Sequence, residues 1–415
     1  MDIEQQTNNQ PLTAEYADAN EYPQEFATYG QTSGIEIEQE EERPFNAEKI
    51  SVSTMPVTLS RLLERIASGA ISSPEIQRND NLWDVEKKSR LIESLMIKIP
   101  LPLFYVAADP DENWKIVDGL QRVSTIKQFM LECSFTLKNL EFLSEYNGYA
   151  FKELPDKYQN RIKDAQFQFA IISATTPQEV QRNIFKRLNT GGLPLTLQEV
   201  RHALYYKHET NQFLVELTES KEFLDATTKS VNDARMAARE LVLRFISFLV
   251  RGPEQYPKNH DMDEFLSDTM LFLNAMPEMD AKTLERSFYG RQVNHKCKYT
   301  DYEGIRSLFN LGMTRAGELF GLHAFRKSTQ YSQYRAPINK SLFECVSITL
   351  SQLSPSQYDA LVSDKDTLVA YLHHEYQNNI ELYNTISRDS QKHASIQYRF
   401  NWFQDLFSTW NNGRQ

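Results

Sequence analysis

A chain of 415 residues, 40% hydrophobic and 12% aromatic, is too long for one small core, so one large or two modest domains is the starting expectation. No apolar run reaches the ~18–20 residues that span a bilayer, the N-terminus lacks the blocks of a signal peptide, and Cys133, Cys297 and Cys345 lie too far apart for a disulfide framework or a CxxC zinc site; a soluble, cytoplasmic protein without membrane partner or zinc is predicted. The net charge of −11 comes wholly from residues 1–42, which hold eleven carboxylates and no Lys or Arg, so the remaining chain is formally neutral and is no strongly basic nucleic-acid binder, although it can carry a local basic face.

Residues 1–45 are rich in Gln, Asn, Glu and Thr, with apolar residues scattered singly. Such a segment buries too little to offset its ordering entropy and predicts a disordered acidic tail, either solubilising or mimicking DNA over a basic groove. Order should begin near Ile50. Thr58 can cap a short helix whose Leu62, Leu63 and Ile66 share a face and which ends at Gly69. After an extended Ser73-Pro74-Glu75-Ile76-Gln77-Arg78, Asp84 caps a second helix with Val85, Ile92, Leu95, Met96 and Ile99 at helical spacing, stopped by Pro100 and Pro102. Residues 103–107 and 114–117 read as a hairpin around an Asp-Pro-Asp-Glu-Asn turn. Leu120 then opens a helix with Ile126, Phe129, Met130 and Cys133 on one side. Residues 167–172 look like a further strand. Two capping boxes follow, Thr176 with Glu179 and Thr196 with Glu199. From about residue 230 the pattern is mainly helical, as over 237–250, 263–276 and 340–353. The fold class expected is α+β: a small α/β unit with a short mixed sheet, then a mainly helical domain. The divisions expected are 1–45, 46–210 and 211–415.

The best chemical candidate is the strand-to-helix junction Asp118-Gly119-Leu120-Gln121-Arg122. Amides at a helix start are unpaired and the dipole adds positive charge there, which suits an anion. Gly119 lets a ligand approach the backbone, Arg122 can fork a phosphate, Asp118 can hold magnesium or position a water, and Gln121 can donate and accept. The plainer alternative is an ordinary N-cap with a surface ion pair. Gln77 and Arg78 can meet the same ligand or be simple loop residues. Arg187-Leu188-Asn189-Thr190-Gly191-Gly192 offers either an anion nest or a helix C-cap. The P-loop and GxGxxG patterns are absent. His295 and Cys297 lack companion ligands, and the neighbours His373 and His374 make a poor chelate on a helix. Arg326, Lys327 and Arg335, interleaved with Tyr331 and Tyr334, suggest a solvated face or a nucleic-acid contact.

Four blocks in order resemble the N-terminal domain of GmrSD-type restriction enzymes, known also as domain of unknown function 262. They are Pro74, Gln77 and Arg78 with Trp83; the helix Lys88-Ser89-Arg90-Leu91-Ile92-Glu93-Ser94-Leu95 with Pro100 and Pro102; Asp118, Gly119, Gln121 and Arg122 against an Asp-Gly-Gln-Gln-Arg signature; and Phe185, Arg187, Leu188, Asn189, Thr190, Gly191 and Gly192. The match covers about residues 55–210 well and the remainder loosely. The resemblance implies a ParB-like fold that binds a nucleoside triphosphate with magnesium and couples its hydrolysis to DNA, in bacterial or phage defence. It places Asp118, Gln121 and Arg122 in the catalytic site. Gln77, Arg78, Gly119, Arg187, Asn189, Thr190, Gly191 and Gly192 would bind the nucleotide. Leu120 departs from the signature's first Gln, and no His pair fits the His-Asn-His nuclease that many relatives carry. A non-catalytic DNA-binding or regulatory module and a ParB-like metal-dependent nickase using Asp118 therefore stand as alternatives. A protein partner or a homo-oligomer is compatible with each.

Overall fold

The computed structural model describes residues 34–36, 50–72, 83–188, 196–259, 261–289, 291 and 296–410. The chain forms two compact units, Arg43–Tyr206 and Met1–Glu42 with Lys207–Gln415.

The first unit is α/β. Its described elements are β1 (Val52–Thr58), α1 (Leu59–Ala67), β2 (Ile71–Ser72), α2 (Val85–Met96), β3 (Phe104–Ala108), β4 (Trp114–Asp118), α3 (Leu120–Met130), α4 (Asp156–Lys163), β5 (Gln166–Ile172), α5 (Gln178–Leu188) and α6 (Leu197–Tyr205). The five strands form one mixed sheet in the order β1-β5-β3-β4-β2. β3 and β4 pair antiparallel as the expected hairpin, and β5 then lies parallel to β3 and antiparallel to β1. Local chemistry starts the helices. Thr58 accepts from the Arg61 amide, Asp84 from the Lys87 amide at 2.8 Å, and Thr196 closes a full capping box with Glu199. Ile92, Met96, Phe104, Val106, Val123, Ile126, Phe129 and Phe169 pack between sheet and helices. The fold class is therefore α+β, as the element pattern implied.

Two local expectations need correction. α2 ends at Met96, Lys98 turns to φ +63°, and Ile99, expected on the buried stripe, is exposed; the following proline disfavours helical backbone at Ile99. Likewise α3 ends at Met130, and Cys133 stands exposed at φ +49°. Thr176, expected to cap α5 in a box with Glu179, lies two residues before the helix, and the Glu179 side chain is outside the described residues; the Thr176 hydroxyl donates to the Ser51 carbonyl at 3.2 Å and lies 3.4 Å from the Ser51 amide, fastening the end of β5 beside the start of β1.

The second unit is helical among its described residues. It comprises α7 (His208–Glu219), α8 (Lys221–Ala226), α9 (Ala237–Arg251), α10 (Met262–Ala275), α11 (Ala281–Ser287), α12 (Tyr302–Phe320), α13 (Lys340–Gln352), α14 (Pro355–Ser363), α15 (Lys365–Asn378), α16 (Ile380–Ile386) and α17 (His393–Ser408). α12 and α13 pack closely because Gly312 leaves room: a Cβ there would lie 2.5 Å from the Ser347 carbonyl oxygen. The fully buried Glu344 on α13 receives Arg244 from α9 at 2.6 Å and Arg399 from α17 at 2.7 Å. Arg326 and Arg335 form neither a solvated face nor an accessible contact for nucleic acid. Both are buried; Arg326 donates to Ala336 O and Ser230 Oγ, and Arg335 to Thr228 Oγ1. Residues 34–36, within the segment expected as a disordered tail, dock here. Ile35 is buried and bridges to Ile338, while Glu36 pairs with Lys327 at 2.6 Å and accepts from Asn339 at 2.9 Å. Among the described residues no helix is long and apolar enough to cross a membrane.

Candidate functional site at the end of the central hairpin

The site is built where β4 runs into α3. Asp118 closes the strand, paired with Tyr105 on β3. Gly119 then takes φ +98° and becomes the N-cap of α3, a position without a side-chain capping bond. A side chain cannot replace it, since a Cβ would lie 2.4 Å from Phe104 Cδ1. The first-turn amides of α3 therefore receive no capping bond from the N-cap residue, and the helix dipole adds to their positive character.

Around that helix start the charged groups are unequal. The Asp118 side chain is 41% exposed, whereas that of Arg122 is 11% exposed. The guanidinium turns inward: it donates to Pro102 O, to Leu103 O at 3.2 Å and to Asp118 Oδ2 at 3.0 Å, and its carbon stands 4.2 Å from the centre of the Phe104 ring. Burial pulls the Arg122 guanidinium below its ordinary value and Asp118 partly restores it; an arginine stays protonated regardless. The fork expected to grip a phosphate thus clamps the entry to β3 and fixes one oxygen of Asp118. The other oxygen, Oδ1, has no partner among the described residues. Gln121 is half-buried in the first turn, and Leu120 packs against the hydrophobic cluster.

A polar line that sequence reasoning missed continues down α3. Gln128 accepts from Lys88 Nζ of α2 at 2.8 Å and donates to Ser124 Oγ at 3.1 Å. Gln121, Ser124 and Gln128 follow at helical spacing along one face. Lys88 is 5% exposed, and burial lowers its pKa against the opposing pull of Asp84. The available signal was its place on the apolar stripe of α2, three and four residues before Leu91 and Ile92, where a lysine needs a partner.

The junction brings Asp118, Gly119, Gln121 and Arg122 together. Gln77, Arg78, Asn189, Thr190, Gly191 and Gly192, with the side chain of Arg187, lie outside the described residues. Among the described residues no group of three His, Cys, Asp or Glu converges. Magnesium usually binds through one or two carboxylates completed by substrate phosphates and water, and Asp118 Oδ1 beside the uncapped amides fits that donor set. Neither the curated proteins nor the solved structures contain a match to this chain. Residues 59–206 match the family model described as GmrSD restriction endonuclease, N-terminal domain, so the recognition made from four short blocks holds for the α/β unit, which carries a domain of that restriction-type family.

Proposed function

We propose that the α/β unit binds and hydrolyses a nucleoside triphosphate at the β4–α3 junction, and that this turnover serves engagement of DNA. The observation that carries the reading is the uncapped start of α3 with the half-exposed Asp118 beside it, inside a restriction-type domain. The amides of the first turn take phosphate oxygens. Asp118 Oδ1 would hold magnesium, which would supply charge neutralisation at the phosphates. Gln121 orients the attacking water. Arg122 is a positioning residue, setting Asp118 from beneath through its Oδ2. Leu120, the departure from the family signature, faces the hydrophobic cluster, which supports a chemistry that needs no polar group there.

The test is phosphate release from each of the four nucleoside triphosphates with magnesium, with and without DNA. We expect turnover with at least one, a change in rate on adding DNA, and a loss of about hundredfold or more in Asp118→Asn, in the range for a general acid, base or charge-stabilising group. Equal turnover by Asp118→Asn would remove Asp118 from the chemistry. No turnover with any nucleotide, together with retained salt-sensitive DNA binding, would instead establish a non-catalytic DNA-binding module.

A further inference from the structure

The helical unit holds a cavity of about 180 Å³ between the end of α12, the 3-10 turn Gly321–His323, α13 and α15. Leu319, Phe325, Leu342, Val346 and Leu372 supply apolar parts of its lining. An engineered apolar cavity of ~150 Å³ admits a benzene ring, so this volume takes one ring and little more.

The lining also carries polar groups. His323 Nδ1 is bonded to Ser328 Oγ at 2.9 Å, while its Nε2 has no partner among the described residues; nor has the hydroxyl of Tyr376. Lys365 lines the same space and gives one N–H to the Glu318 carbonyl, leaving two of its three donors. Arg326 also lines it, and no Asp or Glu is among the described lining residues. Polar groups without partners, beside apolar side chains, are what a small-molecule site presents. Burial, with Arg326 and Arg335 nearby, lowers His323 to about 4, and burial raises the Tyr376 phenol, so at neutral pH the polar groups are a neutral imidazole, a phenol that donates and cations. The backbone supplies an independent sign: Phe325 sits at φ +62°, a conformation unfavourable for a bulky residue and found where surrounding structure enforces it. It is held by the Asn339 amide on its carbonyl at 2.9 Å.

We propose that this cavity binds a single planar aromatic or heteroaromatic ring with an oxygen-rich acceptor edge, the ring against Phe325 and Leu372 and the edge at Tyr376 and Lys365. The site lies wholly within the helical unit and does not rest on the nucleotide reading.

Titration calorimetry of the full chain with benzoate and uracil, and saturation-transfer spectroscopy with toluene, tests the assignment. We expect benzoate or uracil to bind with a submillimolar Kd and toluene to bind more weakly. Tyr376→Phe should weaken the oxygen-bearing ring at least about fivefold, the worth of one neutral hydrogen bond, and Leu372→Trp should abolish binding by filling the space. Failure of all three probes would overturn the proposal. So would toluene binding as tightly as benzoate with Tyr376→Phe silent, since the cavity would then be a dry void. Should Leu372→Trp fail to fold, Tyr376→Phe decides alone.

Discussion

At Gly119 the backbone stands at φ +98°, and a methyl group would lie 2.4 Å from Phe104 Cδ1. Gly119→Ala therefore combines backbone strain with a clash against a ring on the neighbouring strand, and should cost about 2–4 kcal/mol in urea unfolding. A loss under about 0.5 kcal/mol would mean that the turn relaxes and the glycine is not required. Three residues on, Arg122 bonds two carbonyls and a carboxylate from a nearly buried position. Its truncation to Ala strands Pro102 O and Leu103 O and uncovers Phe104, so we expect a loss of about 2–3 kcal/mol or more. Asp118→Asn removes only a solvent-screened carboxylate and should cost under about 1 kcal/mol. Equal losses in urea unfolding of the two variants would contradict the clamp. The inequality also decides which variant tests catalysis, because Arg122→Ala lowers any activity through the fold, whereas Asp118→Asn leaves the frame in place. The turn itself was readable in the sequence, since Asp-Gly between a β-pattern and a helical pattern asks for a positive φ. The direction of Arg122 was not: it depends on carbonyls and a ring contributed by residues 102–104.

The element that holds this frame is α2, which buries more than an apolar stripe. Beside Leu91, Ile92, Leu95 and Met96 it buries Lys88, Ser89 and Glu93. The Glu93 carboxylate accepts the amides of Glu141, Phe142 and Leu143 at 3.0, 2.7 and 2.8 Å, and Ser89 Oγ accepts that of Lys138 at 2.9 Å. A loop without regular structure is thus tied to a helix through side-chain oxygens, which satisfies backbone donors that burial would otherwise leave unpaired. Glu93→Gln replaces one acceptor by an NH₂ facing an amide, so we expect a loss of about 1–3 kcal/mol and faster hydrogen exchange over residues 138–146. Unchanged exchange there would place the loop's stability elsewhere. Helix starts were legible because a cap is a contact between residues three apart, as at Thr58, Asp84 and Thr196. Thr176 carries the same local signal, and its hydroxyl reaches Ser51, 125 positions away; a tertiary partner leaves no trace in the local pattern. The strand order has the same cause. Period and turn residues locate β3, β4 and β5, but nothing local says that β5 inserts between β1 and β3.

Across the whole molecule, the chain contributes residues 34–36 to the helical unit, builds the α/β unit, and returns at Lys207. The helical unit is therefore made from two stretches of sequence separated by a complete domain, which composition alone concealed, because Ile35 is a lone apolar residue among carboxylates. Its burial is specific. Glu36 N donates to Ile338 O at 2.8 Å and Ile338 N to Gly34 O at 3.0 Å, while Lys327 and Asn339 hold the Glu36 carboxylate. The same misjudgement of context applied to Arg326, which reads as a surface cation in sequence and is buried beside this bridge through Ile338. If the short strand is part of the unit's fold, Ile35→Ser should remove about 1.5–3 kcal/mol of apolar burial and raise hydrogen exchange over residues 325–345. The amides of β3 and β5 belong to the other unit and should keep their protection. Unaltered exchange over 325–345 would show that residues 34–36 only rest on a unit that is complete without them. Loss of protection in both units together would instead mean that residues 34–36 stabilise more than the helical unit.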